Sequence, residues 1–197
     1  MEIRNLYFVG RNYVKHVEEL GNDIPKTPLI FTKPLSTISI DGNIHYPPHT
    51  KELHYEGEMV FIPKQNYYMV GCGIDYTARD VQRNAMKKGK PWFFAKCFRD
   101  STVISNSFFK LKNDDLNHLK IETFVNGILK QRGVYKEKLF KIDEIVKYLN
   151  KFFEIGDKSG IFTGTPSGVG EVNIGDMVEV VLYFKDEKIK VKSKILK

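Results

Sequence analysis

The sequence predicts an α+β fold in which antiparallel strands dominate and helices are few. Asn126-Gly127 lies between two apolar runs, and this dipeptide is the strongest short signal for a β-hairpin. A polar Lys-Asp-Glu-Lys turn at 185–188 separates a second pair of apolar runs. Helical caps or spacing occur in three segments, which begin near residues 12, 77 and 142. This pattern favours an α+β domain over a doubly wound parallel sheet.

The N-terminal elements are a strand, a short helix and a second strand. The first strand is NLYFVG, which ends at Gly10. The helix lies within residues 11–21, where Asn12 is a candidate N-cap and Gly21 a candidate stop. Three prolines then punctuate the chain around a short strand at residues 29–32.

Residues 53–61, LHYEGEMVF, alternate in the manner of a strand. Because side chains of a strand point to opposite faces in turn, an apolar face opposes a polar one. The apolar face carries Leu53, Tyr55, Met59 and Phe61, and the polar face carries His54, Glu56 and Glu58. Two carboxylates side by side on a strand indicate either a solvated face or a shared cation.

Another strand and a helix follow in QNYYMVGCGIDYTARDVQRNAMKKGKPW. The strand ends at Asp75, and Thr77 is a candidate N-cap for the helix, with Asp80 in its first turn. Gly89 is the predicted stop, and Pro91 comes after it. Asp75 therefore lies where a strand ends and a helix begins, a place where functional residues collect.

The composition is that of one folded domain. An apolar fraction of 42%, with 14 Phe and 10 Tyr, supports a sizeable core and excludes a disordered chain. No repeat or linker divides residues 1–197, so we expect a single domain. Cys72 and Cys97 give neither a disulfide framework nor a zinc spacing. Without a signal peptide or an apolar span in the sequence, we expect a cytoplasmic protein that does not enter membranes.

The formal charge of +7 indicates an anionic partner, which leaves a small acid, a membrane surface or a nucleic acid. The basic residues are spread along the chain and are densest in MKKGK and in KIKVKSKILK at the C-terminus. Alternating lysines in a strand are more typical of a solvated edge than of a nucleic-acid surface. We therefore expect no nucleic-acid partner.

Glu56 and Glu58 are candidate ligands of a hard cation, and Asp75 is a candidate third ligand. Mg²⁺, Mn²⁺ and Ca²⁺ take oxygen ligands, and a third carboxylate often completes the set of ligands that the protein contributes. The alternative is a solvated strand face, since Glu-x-Glu is a common pattern.

Other polar residues are out of place in their surroundings. Lys96 lies in the apolar stretch PWFFAKCF, and Lys33 lies in IFTKPLST. A buried lysine needs a charged or polar partner. The alternative is that the long side chain reaches solvent. His16 and Glu19 share a helix face and are a candidate base with its orienting carboxylate, or a surface salt bridge. The Gly-rich TGTPSGVG at 163–170 lacks the ending of a phosphate-binding P-loop.

Several segments in a fixed order carry a resemblance to a known family. They are GRNYVKHVEELG, FTKP, HYEGE, DYTARDVQ, KGKPWFFAKCF, VNG and TGTPSGVG. The series resembles the fumarylacetoacetate hydrolase family, in particular its short single-domain branch with acylpyruvate hydrolases and oxaloacetate decarboxylases. The resemblance covers roughly residues 8–185. It implies a mixed β-sandwich roll, a homodimer and one Mg²⁺ or Mn²⁺ ion, with Ca²⁺ as a substitute.

The resemblance also implies roles for particular residues. The metal ligands would be Glu56, Glu58 and Asp75, and the catalytic residues would be His16, Glu19 and Lys96, the first two on a lid helix. The substrate-binding residues would be Lys33, Arg79, Gln82 and Thr165.

The implied activity is hydrolysis of a C–C bond in a 3-acylpyruvate or related 2-oxo acid. His16, oriented by Glu19, would activate the attacking water, and the same site would accept decarboxylation of oxaloacetate. The alternatives are a dioate isomerase or decarboxylase, an oxaloacetate tautomerase, and a non-catalytic binding module that kept the fold. The His16/Glu19 pair favours hydrolysis among these.

Three departures from the family pattern limit the comparison. The stretch between Glu58 and Asp75 is short, and the lead-in GDKSGIF to the Gly-rich turn is less apolar than expected. The family's Gln-x-Gly-x-Thr-x-x-Met run appears as QRGVYKEKL, which keeps Gln131 and Gly133 but not the Thr and the Met. The last departure concerns substrate specificity and the dimer contact.

Overall fold

A computed structural model describes residues 2–19, 21 and 23–197. The strands of the first half are β1 (Asn5–Gly10), β2 (Leu29–Thr32), β3 (Ile44–His45), β4 (Leu53–Tyr55), β5 (Gly57–Pro63), β6 (Tyr68–Asp75), β7 (Thr77–Ala78) and β8 (Thr102–Ile104). Those of the second half are β9 (Phe109–Leu111), β10 (Leu119–Val125), β11 (Ile128–Val134), β12 (Ser159–Phe162), β13 (Gly170–Glu171), β14 (Met177–Phe184) and β15 (Glu187–Leu196). The helices are α1 (Val14–Glu19), α2 (Arg79–Lys87), α3 (Phe93–Lys96) and α4 (Ile142–Leu149). Short 3₁₀ turns lie at Leu35–Thr37, Asn113–His118 and Tyr135–Glu137.

The strands form a mixed, mainly antiparallel arrangement, as the sequence predicts. A seven-stranded sheet has the order β2-β1-β12-β5-β6-β8, with β9 also paired to β6. A five-stranded sheet has the order β11-β10-β14-β15-β3, and a small sheet joins β13, β4 and β7. The β1–β12 and β15–β3 pairs are parallel, whereas the other pairs are antiparallel. This is the α+β roll expected from the resemblance.

The core lies between the two large sheets, and β5 is buried on both faces. Met59 and Phe61 belong to the main apolar cluster, which also includes Val180 of β14. Val60 points the other way, into a smaller cluster with Phe8 and Phe162. Since each fully buried side chain of this size stabilises the fold by about 1.5–3 kcal/mol, β5 is held firmly from both sides.

Both predicted hairpins are confirmed. Asn126 and Gly127 have φ values of 51° and 80°, as the tight turn between β10 and β11 requires. The second hairpin joins β14 to β15 through Lys185, whose φ is 53°. The predicted helix stops are confirmed too: Gly21 and Gly89 adopt φ values of 62° and 61°, and their N–H groups donate to Glu18 and Met86.

Two predicted N-caps are wrong, because tertiary contacts use the side chains instead. The amide of Asn12 donates to the carbonyls of Phe140 and Thr163 and accepts from the Phe140 N–H. Thr77 lies in β7, and its hydroxyl accepts a hydrogen bond from Lys96. Helix α2 begins at Arg79 without a side-chain cap.

The predicted strand at 53–61 is divided at Glu56, where the chain changes partners. Before Glu56, β4 pairs with β7 and β13; after it, β5 pairs with β6 and β12. The helix predicted from near residue 142 is also shorter than its apolar spacing indicates. Apolar residues recur at helical spacing at Ile142, Ile145, Val146, Leu149 and Phe153. Helix α4 nevertheless ends at Leu149, and Phe153 lies beyond it, half exposed. Among the described residues, no helix combines the length and the hydropathy needed to cross a membrane.

Candidate metal and substrate site

Glu56, Glu58 and Asp75 converge at one end of the β5–β6 pair. Each offers an oxygen atom that lies within 4.8 Å of an oxygen of the other two. The register explains this, because Glu58 lies opposite Gly73 and the Asp75 N–H donates to the Glu56 carbonyl at 2.9 Å. All three side chains are buried, which excludes the solvated strand face as their explanation. We call these residues the carboxylate trio.

Three cationic side chains surround the trio. Lys96 donates to Glu56 Oε2 at 2.8 Å, to Asp75 Oδ2 at 2.7 Å and to Thr77 Oγ1 at 2.7 Å, which uses all three of its ammonium hydrogens. Lys33 donates to Asp75 Oδ1 at 2.9 Å and to the Ser101 carbonyl at 2.8 Å. The guanidinium of Arg79 pairs with Glu56 and donates to Gln82 Oε1. Buried charges persist only with partners of this kind.

These contacts separate the pKa values of the glutamates. Burial by itself raises the pKa of Glu56, but Lys96 and Arg79 outweigh it and hold that pKa well below its usual range. Burial also raises the pKa of Glu58, and the nearby carboxylates of Asp75 and Glu56 raise it further. The hydrogen bond at Glu58 Oε2 comes from the neutral Gly164 N–H, at 2.6 Å.

The trio fits a hard divalent cation. Of the three carboxylates, Glu58 makes no ion pair with any side chain that the structure describes. A buried carboxylate beside two others is unfavourable unless a positive charge joins them. Oxygen donors at this mutual distance are those that Mg²⁺ and Mn²⁺ prefer.

His16 and Glu19 on α1 form a pair beside the same pocket, in which His16 is buried and Glu19 is exposed. His16 Nδ1 lies 3.1 Å from Glu19 Oε2, and the imidazole is 4% exposed. The other oxygen of Glu19 accepts the Gly168 N–H at 3.0 Å, which ties α1 to the Gly-rich turn. The pair therefore differs from an ordinary surface salt bridge, because its imidazole is shielded from solvent.

The Gly-rich turn closes tightly against α1 and β5. Gly164 has a φ of 87°, and a Cβ there would lie 2.8 Å from Asn12 Cβ, so a larger residue does not fit. The Thr165 hydroxyl donates to the Gly57 carbonyl at 3.0 Å and accepts from Gln131 Nε2 at 2.7 Å. Gln131 also accepts the Gly57 N–H at 3.0 Å, so it joins the turn to β5.

These residues line a pocket of about 230 Å³. Its polar wall contains the trio together with His16, Arg79, Gln82, Lys96 and Thr165. The facing wall is apolar and includes Leu29, Phe31, Met86 and Trp92. The predicted site residues thus come together, but Glu19 and Lys33 are not among the described residues that line the pocket. Glu19 pairs with His16, and Lys33 lies behind Asp75, 5.3 Å from the Phe8 ring centroid.

Sequence reasoning missed two residues that also line the pocket, His54 and Arg11. His54 Nε2 lies 2.9 Å from Glu52 Oε1, and its Nδ1 accepts from Arg79 Nε at 3.4 Å. Burial and the charge of Arg79 lower the pKa of His54, which favours this neutral form. The alternation that marked Glu56 and Glu58 places His54 on the same face and was a usable signal. Arg11 has a φ of 57° at the end of β1, and nothing in its sequence surroundings marked it.

Comparisons with known proteins agree with this geometry. Residues 5–192 match the model for the fumarylacetoacetate (FAA) hydrolase C-terminal domain. The mitochondrial oxaloacetate tautomerase fahd-1 of Caenorhabditis elegans is 39% identical, over 90% of this chain and 89% of that protein. The mitochondrial oxaloacetate decarboxylase of Dictyostelium discoideum is 33% identical, over 89% and 87%. Fumarylpyruvate hydrolase from Pseudomonas aeruginosa, solved with Mn²⁺ and pyruvate, superposes with a TM-score of 0.84 at 28% identity, over 99% and 91%.

One prediction from the sequence is contradicted by these relatives. The curated relatives above are mitochondrial proteins, which overturns the expected cytoplasmic location. An apolar leader is a poor criterion for location, because targeting to an organelle does not depend on a long apolar segment. The matched domain, the extent of the sequence identity and the shared architecture lead to one conclusion: this chain belongs to the fumarylacetoacetate hydrolase family, a family of enzymes.

Proposed function

We propose that this protein is a divalent-cation-dependent enzyme that interconverts the enol and keto forms of oxaloacetate or a closely related 2-oxo diacid. The observation that carries the proposal is the carboxylate trio, which shares one small pocket with His16 and Arg79. Within the trio, Glu58 makes no ion pair with any described side chain. The name of the Caenorhabditis elegans relative supports oxaloacetate as the first substrate to test. This places tautomerisation ahead of hydrolysis, the reverse of the order favoured by the sequence.

The pocket suits a small acid with more than one negative charge. A pocket of about 230 Å³ is below the range usual for drug-sized ligands, so it favours a compact substrate. Arg79, Lys96 and Arg11 line it and supply positive charge, and Arg83 stands at the same pocket. Gln82, held by Arg79 at 2.6 Å, can donate its amide N–H groups to a substrate carboxylate.

A divalent cation held by Glu56, Glu58 and Asp75 would act as a Lewis acid on the keto and carboxylate oxygens of the substrate, which makes its C3 hydrogens more acidic. Lys96 fixes the geometry of this ligand set, because its three hydrogen bonds hold Glu56, Asp75 and Thr77 together. Lys33 holds Asp75 from behind. In this arrangement both lysines orient carboxylates.

His16 is the candidate for moving the proton. Glu19 engages Nδ1, so Nε2 is the nitrogen left to exchange a proton with a bound ligand. Tautomerisation takes one proton from the enol oxygen and delivers one to C3, so a single imidazole can serve both steps. Glu19 keeps the ring in place because Gly168 fixes its second oxygen.

The test is the decay of the ultraviolet absorbance of enol-oxaloacetate with metal-free protein, with added Mn²⁺ and with EDTA. We expect Mn²⁺-dependent acceleration, which EDTA abolishes. H16Q should lower kcat by about 10²–10⁴-fold, whereas H118Q, which changes an exposed histidine outside the pocket, should keep the wild-type rate. An undiminished rate after removal of the metal contradicts the proposal.

A second candidate is C–C bond hydrolysis of a 3-acylpyruvate. The pair of buried His16 with Glu19 favours it, because that reaction needs a base to take a proton from water. The water oxygen would bond to the distal carbonyl carbon, the bond from that carbon to C3 would break, and C3 would be protonated to give pyruvate. The apolar wall at Leu29, Phe31 and Trp92 offers a surface for the acyl group.

Pyruvate release distinguishes the candidates. Metal-dependent pyruvate from acetylpyruvate would establish hydrolysis, and pyruvate from oxaloacetate alone would indicate decarboxylation. Enol decay without pyruvate from either compound leaves tautomerisation as the activity.

We also propose that the protein is a homodimer, as the resemblance implies. Support comes from β2, whose outer edge pairs with no other strand among the described residues and lies beside the half-exposed Phe93 in an apolar groove. Light scattering of the purified protein measures the mass, and a monomer at all concentrations would contradict this.

A further inference from the structure

Lys138 is a buried lysine near the trio that the proposed reaction does not use. It directly follows the 3₁₀ turn at Tyr135–Glu137, and its side chain is 3% exposed. Its ammonium donates to the Thr163 carbonyl at 2.9 Å and the Gly164 carbonyl at 3.3 Å, and it lies 4.2 Å from the ring centroid of Tyr13. Within the described chain, no carboxylate lies at ion-pair distance from it, unlike Lys33 and Lys96. A buried charge held by neutral groups alone is costly.

The backbone of Gly164 lies between Lys138 and Glu58 and is hydrogen-bonded to both side chains. The Gly164 carbonyl accepts from Lys138, while the Gly164 N–H donates to Glu58 Oε2 at 2.6 Å. Lys138 is therefore close enough to Glu58 for the two charges to attract. Burial raises the pKa of Glu58 and lowers that of Lys138, and the attraction between them opposes both shifts. Lys33, Lys96 and Arg79 contact the other two carboxylates. Glu58 is within reach of the charge of Lys96 as well as that of Lys138. Lys138 differs from Lys96 because no described carboxylate lies at ion-pair distance from it.

Hydrogen bonds other than those of Lys138 also hold the Gly-rich turn in place. The Thr163 carbonyl also accepts from Asn12 at 2.9 Å, and the Thr163 hydroxyl and N–H donate to the Met59 carbonyl at 2.9 and 3.1 Å. The Gly-rich turn therefore remains fixed when the hydrogen bonds from Lys138 are removed. The effect that remains is electrostatic.

We infer that Lys138 is an internal counter-charge that weakens divalent-cation binding at the carboxylate trio. It offsets the charge of Glu58 before any ion enters, and it repels the ion that enters. The inference rests on the proposed function, which supplies the cation. An anionic substrate would relieve the repulsion, so Lys138 makes cation binding depend on the presence of substrate.

The test is an equilibrium titration of metal-free protein with Mn²⁺, followed by the electron paramagnetic resonance signal of the free ion. K138M removes the charge and keeps a side chain of similar length. At pH 6, below the pKa of about 7 to which burial lowers Lys138, this lysine carries its charge in wild type. We expect the Mn²⁺ Kd of K138M to be about tenfold lower than that of wild type at this pH, since loss of a nearby positive charge favours a second one. K141M is the matched control: Lys141 donates to the carbonyls of Tyr135, Lys136 and Lys138 and is not among the described residues that line the pocket. Its Kd should stay within twofold of wild type.

The outcomes separate this inference from the proposed function. A K138M Kd equal to or weaker than that of wild type, in a folded protein, overturns the role of Lys138 while wild-type binding keeps the metal site. If wild type, K138M and K141M are folded and none binds Mn²⁺, both proposals fall. If K138M does not fold, K138Q carries the same test, with the same expected fall in Kd.

Discussion

Two stretches of the β5–β6 pair, which we call its charged end and its apolar end, are both buried and are chemically opposite. At the charged end Glu58 lies opposite Gly73, next to Asp75; at the apolar end Phe61 lies opposite Val70. Glu58 is 3% exposed and Phe61 is fully buried. The backbone ladder is continuous between them, so the difference lies entirely in the side chains.

This difference separates stability from function within one pair of strands. Apolar side chains at the Phe61 end stabilise the fold when they leave water. At the Glu58 end, burial of charges works against folding, and ion pairs only partly offset its cost. The apolar end thus supports a charged end that is arranged for a ligand. Substitutions at the two ends should therefore have opposite consequences.

The largest expected effect is on activity at the charged end. E58Q should lower the Mn²⁺-dependent rate of oxaloacetate tautomerisation at least about a thousandfold, roughly 4 kcal/mol of transition-state stabilisation. Its free energy of unfolding without metal should be unchanged or higher, because burial, Asp75 and Glu56 disfavour the charge of Glu58. Enzyme rates and urea unfolding measure the two quantities. Large losses of both would show that Glu58 is structural.

The next effect is on stability at the apolar end. F61A should lower the free energy of unfolding by about 3–5 kcal/mol, because it opens a cavity in the main apolar cluster. The fraction that remains folded should bind Mn²⁺ with wild-type affinity. Urea unfolding and Mn²⁺ titration of the same preparation provide the check. Weakened Mn²⁺ binding in folded F61A would show that the two ends are not independent.

The charge of Lys138, another buried group near the charged end, should make the stability of the fold depend on pH. Burial lowers its pKa to about 7, although the charge of Glu58 opposes the shift. Below pH 7 both the folded and the unfolded chain carry the proton, so the full cost of burial is present. Between pH 7 and the ordinary lysine pKa, the unfolded chain binds a proton that the folded chain lacks, so stability rises with pH.

Wild type should therefore gain stability relative to K138M as the pH rises from 7 to 10, by up to roughly 4 kcal/mol. Urea unfolding of both proteins across this range measures the difference. A difference that stays constant with pH would show that Lys138 titrates normally in the folded state.

The smallest effect is expected from a charge pair on the surface. Lys192 lies 2.9 Å from Glu179 on the five-stranded sheet, and its side chain is 55% exposed. K192A should change the free energy of unfolding by less than about 0.5 kcal/mol and leave the tautomerisation rate unchanged. A larger loss would mean that charge matters to this fold regardless of burial.

The sequence predicted elements whose determinants are local. The bounds of β2 and both hairpin turns match the prediction, because prolines, glycines and the Asn126-Gly127 pair act within a few residues. The N-caps assigned to Asn12 and Thr77 failed, because distant partners at Thr163 and Lys96 compete for the same side chains.

The site was predicted in part for the same reason. The strand alternation placed Glu56 and Glu58 together, and the strand end marked Asp75. Lys138 occupies the position of the family's Met in QRGVYKEKL, so the sequence marked a departure there. The sequence did not show that the lysine is buried, because only the tertiary fold buries it. Whether a lysine contacts substrate or stands behind a carboxylate, as Lys33 does, also depends on packing that a linear pattern does not contain.

The most direct test of the central claim is the number of Mn²⁺ ions bound per chain in wild type and in E58Q, measured on metal-free protein by electron paramagnetic resonance. The carboxylate trio predicts one ion per chain in wild type and none in E58Q at the same Mn²⁺ concentration. Equal binding by the two proteins would place the ion elsewhere and contradict the assignment of the trio as its ligands.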